Sequence, residues 1–270
     1  MKQNLVFGGL LVLLVLLFLA ACQAAPTAAP SPTAAPATDT PLPPTATPTV
    51  PPPTATEAPA EPTATQIPQP VLCSPLKDHD IYRLRTYVSN AYATPATSNK
   101  EEGHHGVDFA YYYKDGDGAP ILGIDIQAIA PGRIAAMMVD KLPYGNMVMI
   151  ETPYEMLAPE LIAYFGIGPE TSFYHLYAHM LNPPEWNVGD LVNCGQTLGQ
   201  VGNTGFSGNE HLHLETRTGP ANYDFSGGLA YYSTAASDVE RGNYELWRSS
   251  GTFVHFDPIP FFEVFFPPGE

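Results

Sequence analysis

Basic residues are scarce in this chain: 11 Lys and Arg stand against 27 Asp and Glu, a formal net charge of −16. A phosphate-rich partner needs a basic footprint to displace its counterions, so nucleic acid is excluded as a partner. Cysteine is scarce too, at three residues, and none stands at a spacing that suggests a zinc ligand. Signals for helices are few. No His-Glu-x-x-His occurs, which excludes a zinc site whose motif glutamate serves as base. Residues 1–70 hold almost no charge, only Lys2, Asp39, Glu57 and Glu61.

That weakly charged stretch divides in two. Lys2 precedes the apolar run Leu5–Ala21, the charged and apolar regions of a secretory signal. The run closes on Leu19-Ala20-Ala21-Cys22, which resembles the lipobox of bacterial lipoproteins. The resemblance implies removal of the signal peptide 1–21 and lipidation of Cys22. The run is also nearly long enough to span a bilayer uncleaved. On either reading the chain is tethered outside the cytoplasm, at the cell membrane or cell surface. Residues 22–70 are almost entirely Ala, Pro and Thr, with 15 of the 30 prolines. Such a segment buries too little apolar surface to offset its ordering entropy and is expected to be a disordered linker. At about 3.1 Å per residue in polyproline form, its reach is on the order of 150 Å.

Residues 71–270 suit a single domain, with 24 acidic against 10 basic residues. With Cys22 lipidated, Cys73 and Cys194 remain as an even pair in an oxidising compartment, either bridged or held as two buried thiols. From Val107 to Leu214 short β-type runs are broken by glycine and proline, which predicts an all-β fold. Strands are expected over Asp125–Ala130, Arg133–Val139, Met147–Glu151, Phe173–Met180, Thr197–Val201 and His211–Thr216, with a strand–turn–strand step at Val188–Val192. Two stretches interrupt this pattern. Pro153–Thr171 contains a short helix candidate, Glu155–Tyr164. Pro220–Gly251 carries many aromatics without a clear period. Each insertion either shapes a groove or decorates the core.

The chemistry lies in histidines and one aspartate. His104 and Asp108 form a His-x-x-x-Asp spacing, and His211 and His213 a His-x-His spacing. Residues i and i+2 of a strand share a face, so His211 and His213 project together while Leu212 and Leu214 face the core. His104, Gly106 and Asp108 share parity, and Gly106 leaves room between its neighbours. Two His and one carboxylate with an open fourth position is the layout of a catalytic zinc site. Each motif alone is weak, and their order adds weight. After His-His-Gly-Val-Asp come Tyr144-Gly145-Asn146, Tyr177-Ala178-His179, Val188-Gly189-Asp190, Gly199-Gln200-Val201-Gly202-Asn203-Thr204-Gly205 and His211-Leu212-His213-Leu214-Glu215.

This order resembles the lysostaphin-like or LytM-type zinc peptidases, metallopeptidase family twenty-three, over a core of about 103–217. The resemblance implies a mostly antiparallel β-sheet domain with an active-site groove. It also implies a zinc metalloendopeptidase that cleaves peptide bonds of peptidoglycan through a zinc-activated water. It places one Zn2+ on His104, Asp108 and His213, with His179 and His211 as catalytic histidines that are not ligands. A histidine titrates near working pH, which suits proton transfer. His105 lies one residue off the ligand register. His175 and Asn146 are expected at the groove, His175 either lining it or orienting a ligand. His79 and His255 are expected at the surface. The chain departs from the pattern at Ser98–Glu102, where the family usually carries an arginine, and in both insertions. A monomer acting on wall peptides is the leading expectation. The rivals are a catalytically silent regulator of wall hydrolases and a peptidase of extracellular proteins.

Overall fold

The computed structural model describes residues 71–94, 102–110 and 121–269. The signal segment 1–21, Cys22 and the linker to residue 70 lie outside the described residues. Among the described residues no helix is long and apolar enough to cross a membrane.

The strands are β1 (Val88–Asn90), β2 (Gly106–Phe109), β3 (Asp125–Gln127), β4 (Gly132–Lys141), β5 (Gly145–Thr152), β6 (Thr171–Ala178), β7 (Leu191–Val192), β8 (Thr197–Gln200), β9 (Leu212–Pro220) and β10 (Val254–Phe256). The α-helices among the described residues are α1 (Pro159–Phe165), α2 (Asp238–Arg248) and α3 (Pro258–Phe265), with 3-10 turns at Ile81–Tyr87 and Tyr154–Met156. The main sheet runs β1-β2-β9-β6-β5-β4-β7, antiparallel at every pairing, and β3 with β8 forms a separate ribbon. β10 takes over the edge of β9 where β2 stops: β2 pairs with Leu212–Glu215 and β10 with 216–218. The domain is thus mostly antiparallel β-sheet, as the sequence predicts.

Both faces of the central strands are covered, which explains their near-continuous apolar sequence. In β5 every residue is buried. Val148 and Ile150 turn to one face, Met147 and Met149 to the other. The first face is closed by Leu72, Leu76, Leu161 of α1, and Phe261 and Phe262 of α3. The second is closed by Phe225, Leu229, Trp247 and Phe253. Full burial of one such side chain contributes about 1.5–3 kcal/mol. Cys73 and Cys194 are bridged, with Cα atoms 5.7 Å apart across 121 positions of sequence.

Several local expectations shift. The strand expected over Asp125–Ala130 ends at Gln127, because the Ala128 amide and carbonyl bond to Gln196 and Gly195 instead of a ladder. Val188 is not in a strand; only Leu191 and Val192 pair, with β4. The helix foreseen near Glu155–Tyr164 begins later, at Pro159, and stops at Gly166 with φ 63°, the usual proline-start and glycine-stop pair. Helices α2 and α3 were not foreseen. α2 starts from a capping box in which Ser237 accepts from the Glu240 amide and the Glu240 side chain accepts from the Ser237 amide. α3 starts from Asp257, whose carboxylate accepts from the Ile259 amide.

Candidate metal centre

β2 and β9 are hydrogen-bonded neighbours, and their register sets Asp108 directly opposite His213. Cross-strand partners share a face, so the carboxylate and the imidazole meet. Gly106 makes the approach possible, since a Cβ there would sit 2.4 Å from the Leu214 carbonyl oxygen and 3.0 Å from His213 Cε1. His104 precedes β2 and is held by reciprocal backbone bonds with Ala93, both 2.8 Å. The three side chains converge. His104 Nε2 is 3.1 Å from Asp108 Oδ1 and 3.1 Å from His213 Nδ1, and His213 Nδ1 is 2.8 Å from Asp108 Oδ1.

Each of the three is aimed from behind. His104 Nδ1–H donates to the Ala91 carbonyl at 2.9 Å, which leaves the Nε2 lone pair facing the site. His213 Nε2–H donates to Glu215 Oε1 at 3.2 Å, which leaves Nδ1. Asn90 Nδ2 donates to Asp108 Oδ2 at 3.0 Å, which leaves Oδ1. Outer partners of this kind fix tautomer and ring orientation at metal sites. Two imidazole nitrogens and one carboxylate oxygen, within 4.8 Å of one another, fit a small divalent ion of zinc type.

The charges are coupled. Burial works against the Asp108 carboxylate, but His104 and His213 outweigh it and hold its pKa well below the usual carboxylate range. Burial likewise opposes a charged His213, yet Asp108 and Glu215 raise it to about 9, so a metal at Nδ1 takes the place of a proton there. Glu215 is fully buried; burial opposes its charge, and Arg217 and His213 hold its pKa far down.

Two further histidines stand beside the triad. His211 precedes β9 on the face of His213, with Nε2 3.5 Å from Asp108 Oδ1. Its Nδ1–H donates to the Asn209 carbonyl at 2.8 Å. His179 follows β6 in the left-handed region, φ 62°, a conformation that costs a non-glycine residue about 1–2 kcal/mol. The kink turns its ring toward the site, 4.7 Å from the ring of His211 and 5.9 Å from that of His213. Its Nδ1–H donates to the Thr204 carbonyl at 2.7 Å. Burial, then the neighbouring imidazoles of His213 and His211, pushes its pKa down to about 3, so it is neutral at working pH. Both rings have Nδ1 tied to a backbone carbonyl, which turns Nε2 toward the site.

A cavity of about 520 Å3 lies over these five side chains, walled by Tyr144, Phe206, Tyr232, Tyr244 and Arg248 among others. The segment 220–251 thus helps to build the cavity, through Tyr232, Tyr244 and Arg248. The segment 153–171 adds nothing to its lining; Leu161 packs into the core on the far face of the sheet.

Other sequence expectations change. His175 does not line the groove: it is fully buried among core residues, bonded to Thr152 Oγ1 at 3.1 Å and Tyr177 Oη at 2.8 Å. Parity with His179 fails because the left-handed turn at His179 ends the alternation of β6. Asn146 is also no lining residue. It ties loops together, donating to the Met180 carbonyl at 3.3 Å and accepting from the Asp140 amide at 3.0 Å. His105 points away from the triad, donating through Nε2 to the Glu102 carbonyl and accepting from Arg217 at Nδ1. His255 is not a lone surface residue, since it stacks on His105 at 4.2 Å and bonds Tyr92 Oη. His79 is half-buried against Tyr87. The sequence pattern assigns Glu215 and Arg217 no role at the site, although their i+2 and i+4 spacing from His213 puts them on the same face of β9.

Residues 102–225 match the model of Peptidase family M23. Among solved structures, the catalytic domain of the antimicrobial peptidase lysostaphin from Staphylococcus simulans is similar at 21% identity, covering 69% of this chain and 99% of that one, with a TM-score of 0.38. A variant of the catalytic domain of the prophage-encoded M23 protein EnpA from Enterococcus faecalis is 24% identical over 50% of this chain and 82% of that one, TM-score 0.34. A zinc containing peptidase from Vibrio cholerae is 22% identical over 48% of this chain, TM-score 0.29; this chain spans only 36% of that protein's length.

Proposed function

The chain carries a domain of peptidase family M23, and from that premise we propose that it is a zinc-dependent endopeptidase that hydrolyses peptide bonds of peptidoglycan. The observation that carries the reading is the triad itself: three ligand atoms 2.8–3.1 Å apart, each freed toward the others by a hydrogen bond on its far side.

His104 Nε2, Asp108 Oδ1 and His213 Nδ1 would hold the ion. Zinc bound there supplies Lewis acidity, polarising the scissile carbonyl and acidifying a water. Asp108 is the one anionic ligand, so the charge left at the site is positive and favours a developing oxyanion. His179 and His211 present Nε2 lone pairs to the same cavity. Either can accept a proton from the attacking water and return it to the departing amine. Their Nδ1 bonds to the Thr204 and Asn209 carbonyls keep Nε2 of both rings turned to the cavity, where a proton is taken up and given back. The aromatic wall of the cavity narrows access and displaces water from the reacting bond. In this reading a lipidated Cys22 anchors the protein, as a monomer, to the outer surface of the cell membrane, and residues 22–70 hold the domain within reach of the wall.

Digestion of purified peptidoglycan by the full chain, with mass analysis of the released fragments, tests the proposal. New amino termini within the peptide stems or bridges, abolished by a zinc chelator and restored by zinc, are expected. Intact peptidoglycan beside cleavage of an extracellular protein would move the substrate to proteins. Retention of wall binding with no hydrolysis and no metal would make the chain a regulator.

A further inference from the structure

We propose that helix α2 is a working part of the metal centre: Trp247 holds the buried carboxylate of Glu215 and, through it, the imidazole of His213. The inference rests on the reading of His104, Asp108 and His213 as metal ligands. The family match ends at residue 225, and α2 begins at Asp238, so this support comes from a segment outside the matched residues.

Glu215 is fully buried and two residues from His213 on the same face of β9. Its Oε1 accepts from His213 Nε2 at 3.2 Å and from Tyr144 Oη at 2.8 Å. Its Oε2 accepts from Trp247 Nε1 at 2.9 Å and from Arg217 Nη2 and Nε at 2.7 and 3.1 Å. Donors therefore surround both oxygens, and the carboxylate has one orientation. Trp247 meets this pair in three ways. Its indole N–H binds Glu215, its carbonyl accepts from Arg217 Nη1 at 2.6 Å, and its ring lies 4.5 Å from the Arg217 guanidinium carbon. The burial of a paired glutamate and arginine is costly unless their remaining donors and acceptors are satisfied; Trp247 of α2 satisfies one on each, beside Tyr144, Phe253 and His105.

The connection to the metal follows from the two nitrogens of His213. Only Nδ1 faces His104 and Asp108, and it offers a lone pair only when the ring proton stays on Nε2. Glu215 Oε1 holds that proton. Without the indole N–H, Oε2 is drawn by Arg217 alone, and only Tyr144 Oη and His213 Nε2 at Oε1 resist a shift of the carboxylate toward the guanidinium. Trp247 is in this sense a positioning residue for a ligand it does not touch.

The test is Trp247→Phe in the full chain, which keeps an aromatic ring against Arg217 and removes the N–H donor. Zinc affinity is measured by competition with a chromogenic chelator, and the visible spectrum of the Co2+-loaded protein is recorded, both on protein shown to be folded by near-ultraviolet circular dichroism. Affinity weaker by up to about 10-fold, the low end of what losing the direct outer partner of a ligating histidine gives, since Trp247 acts one contact further out, and a shifted Co2+ spectrum are expected. Wild-type affinity with an unchanged spectrum overturns the proposal, even if the melting temperature drops, because that result is what mere core packing gives. Glu215→Gln is the second variant should Trp247→Phe not fold. It is expected to weaken zinc binding in the same way, and unaltered affinity overturns the proposal equally. A wild-type chain that binds no metal overturns both this inference and the function it rests on.

Discussion

His213 serves two partners through one ring, Asp108 and the triad at Nδ1 and Glu215 at Nε2. Among the described residues His179 has no such link to the triad; its ring hydrogen-bonds the Thr204 carbonyl. Their substitutions should therefore separate. His213→Ala is expected to abolish zinc binding and turnover together. His179→Ala is expected to leave zinc affinity intact and cut turnover by about 10²–10⁴-fold, the usual yield of a proton-transfer group. Chelator competition beside a hydrolysis assay checks both, and a His179→Ala chain that lost its zinc would contradict the assignment. His175 makes a different prediction. Burial pushes its pKa down to about 3, against about 6.5 in an unfolded chain. A depressed histidine contributes stability that is complete above the unfolded value and lost as pH falls below it. Between pH 7.5 and 5 this group alone should cost about 2 kcal/mol, at one proton taken up on unfolding. Urea unfolding of the wild type and His175→Gln at both pH values should show the smaller decline in the variant; equal declines would exclude a neutral buried His175. Strand parity made the pairing of His211 with His213 legible in the sequence. The same rule misplaced His175, because it carries no information about where the backbone leaves the strand, as it does at His179.

At the scale of elements, the position of His179 depends on two loops packed glycine against glycine. Gly205 has φ 77°, and a Cβ on it would lie 2.3 Å from the Gly145 amide nitrogen and 2.5 Å from the Pro143 carbonyl. The neighbouring Thr204 carbonyl is the acceptor for His179. Gly205→Ala should therefore destabilise the fold by at least about 1–2 kcal/mol from backbone strain alone and lower turnover while zinc content stays whole. Denaturant unfolding and metal analysis check it; a variant as stable and active as the wild type would refute the strained contact. The sheet strands were legible because apolar residues alternate between glycine and proline breaks. α2 was not, since only Tyr244, Trp247 and Glu240 of its residues are buried and Gly242-Asn243 interrupt its period. Its start was written in the Ser237-x-x-Glu240 box all the same. The edge of α3 was marked by Asp257-Pro258 in the same way.

At the scale of the described domain, the sheet is closed on one face by residues 71–87 with α1 and α3 and on the other by the segment around α2. The Cys73–Cys194 bridge pins residues 73–77 beside the β3–β8 ribbon, where Cys73 N also bonds the Ile129 carbonyl at 2.9 Å. Closing so long a loop constrains the unfolded chain by about 4–5 kcal/mol in the chain-entropy model. Cys73→Ser, Cys194→Ser and the double variant should all lose a similar amount in urea unfolding, and a loss confined to one single variant would point to local packing instead. An even cysteine pair left this bridge legible, whereas the two-sided burial of the sheet emerges only when the distant segments come together. The whole arrangement serves one centre, built from His104 before β2, Asp108 on β2 and His213 on β9. Metal analysis of the purified full chain tests that centre most directly. One zinc ion per wild-type chain is expected, falling to near none in Asp108→Ala and His213→Ala; equal metal content in all three would contradict the account.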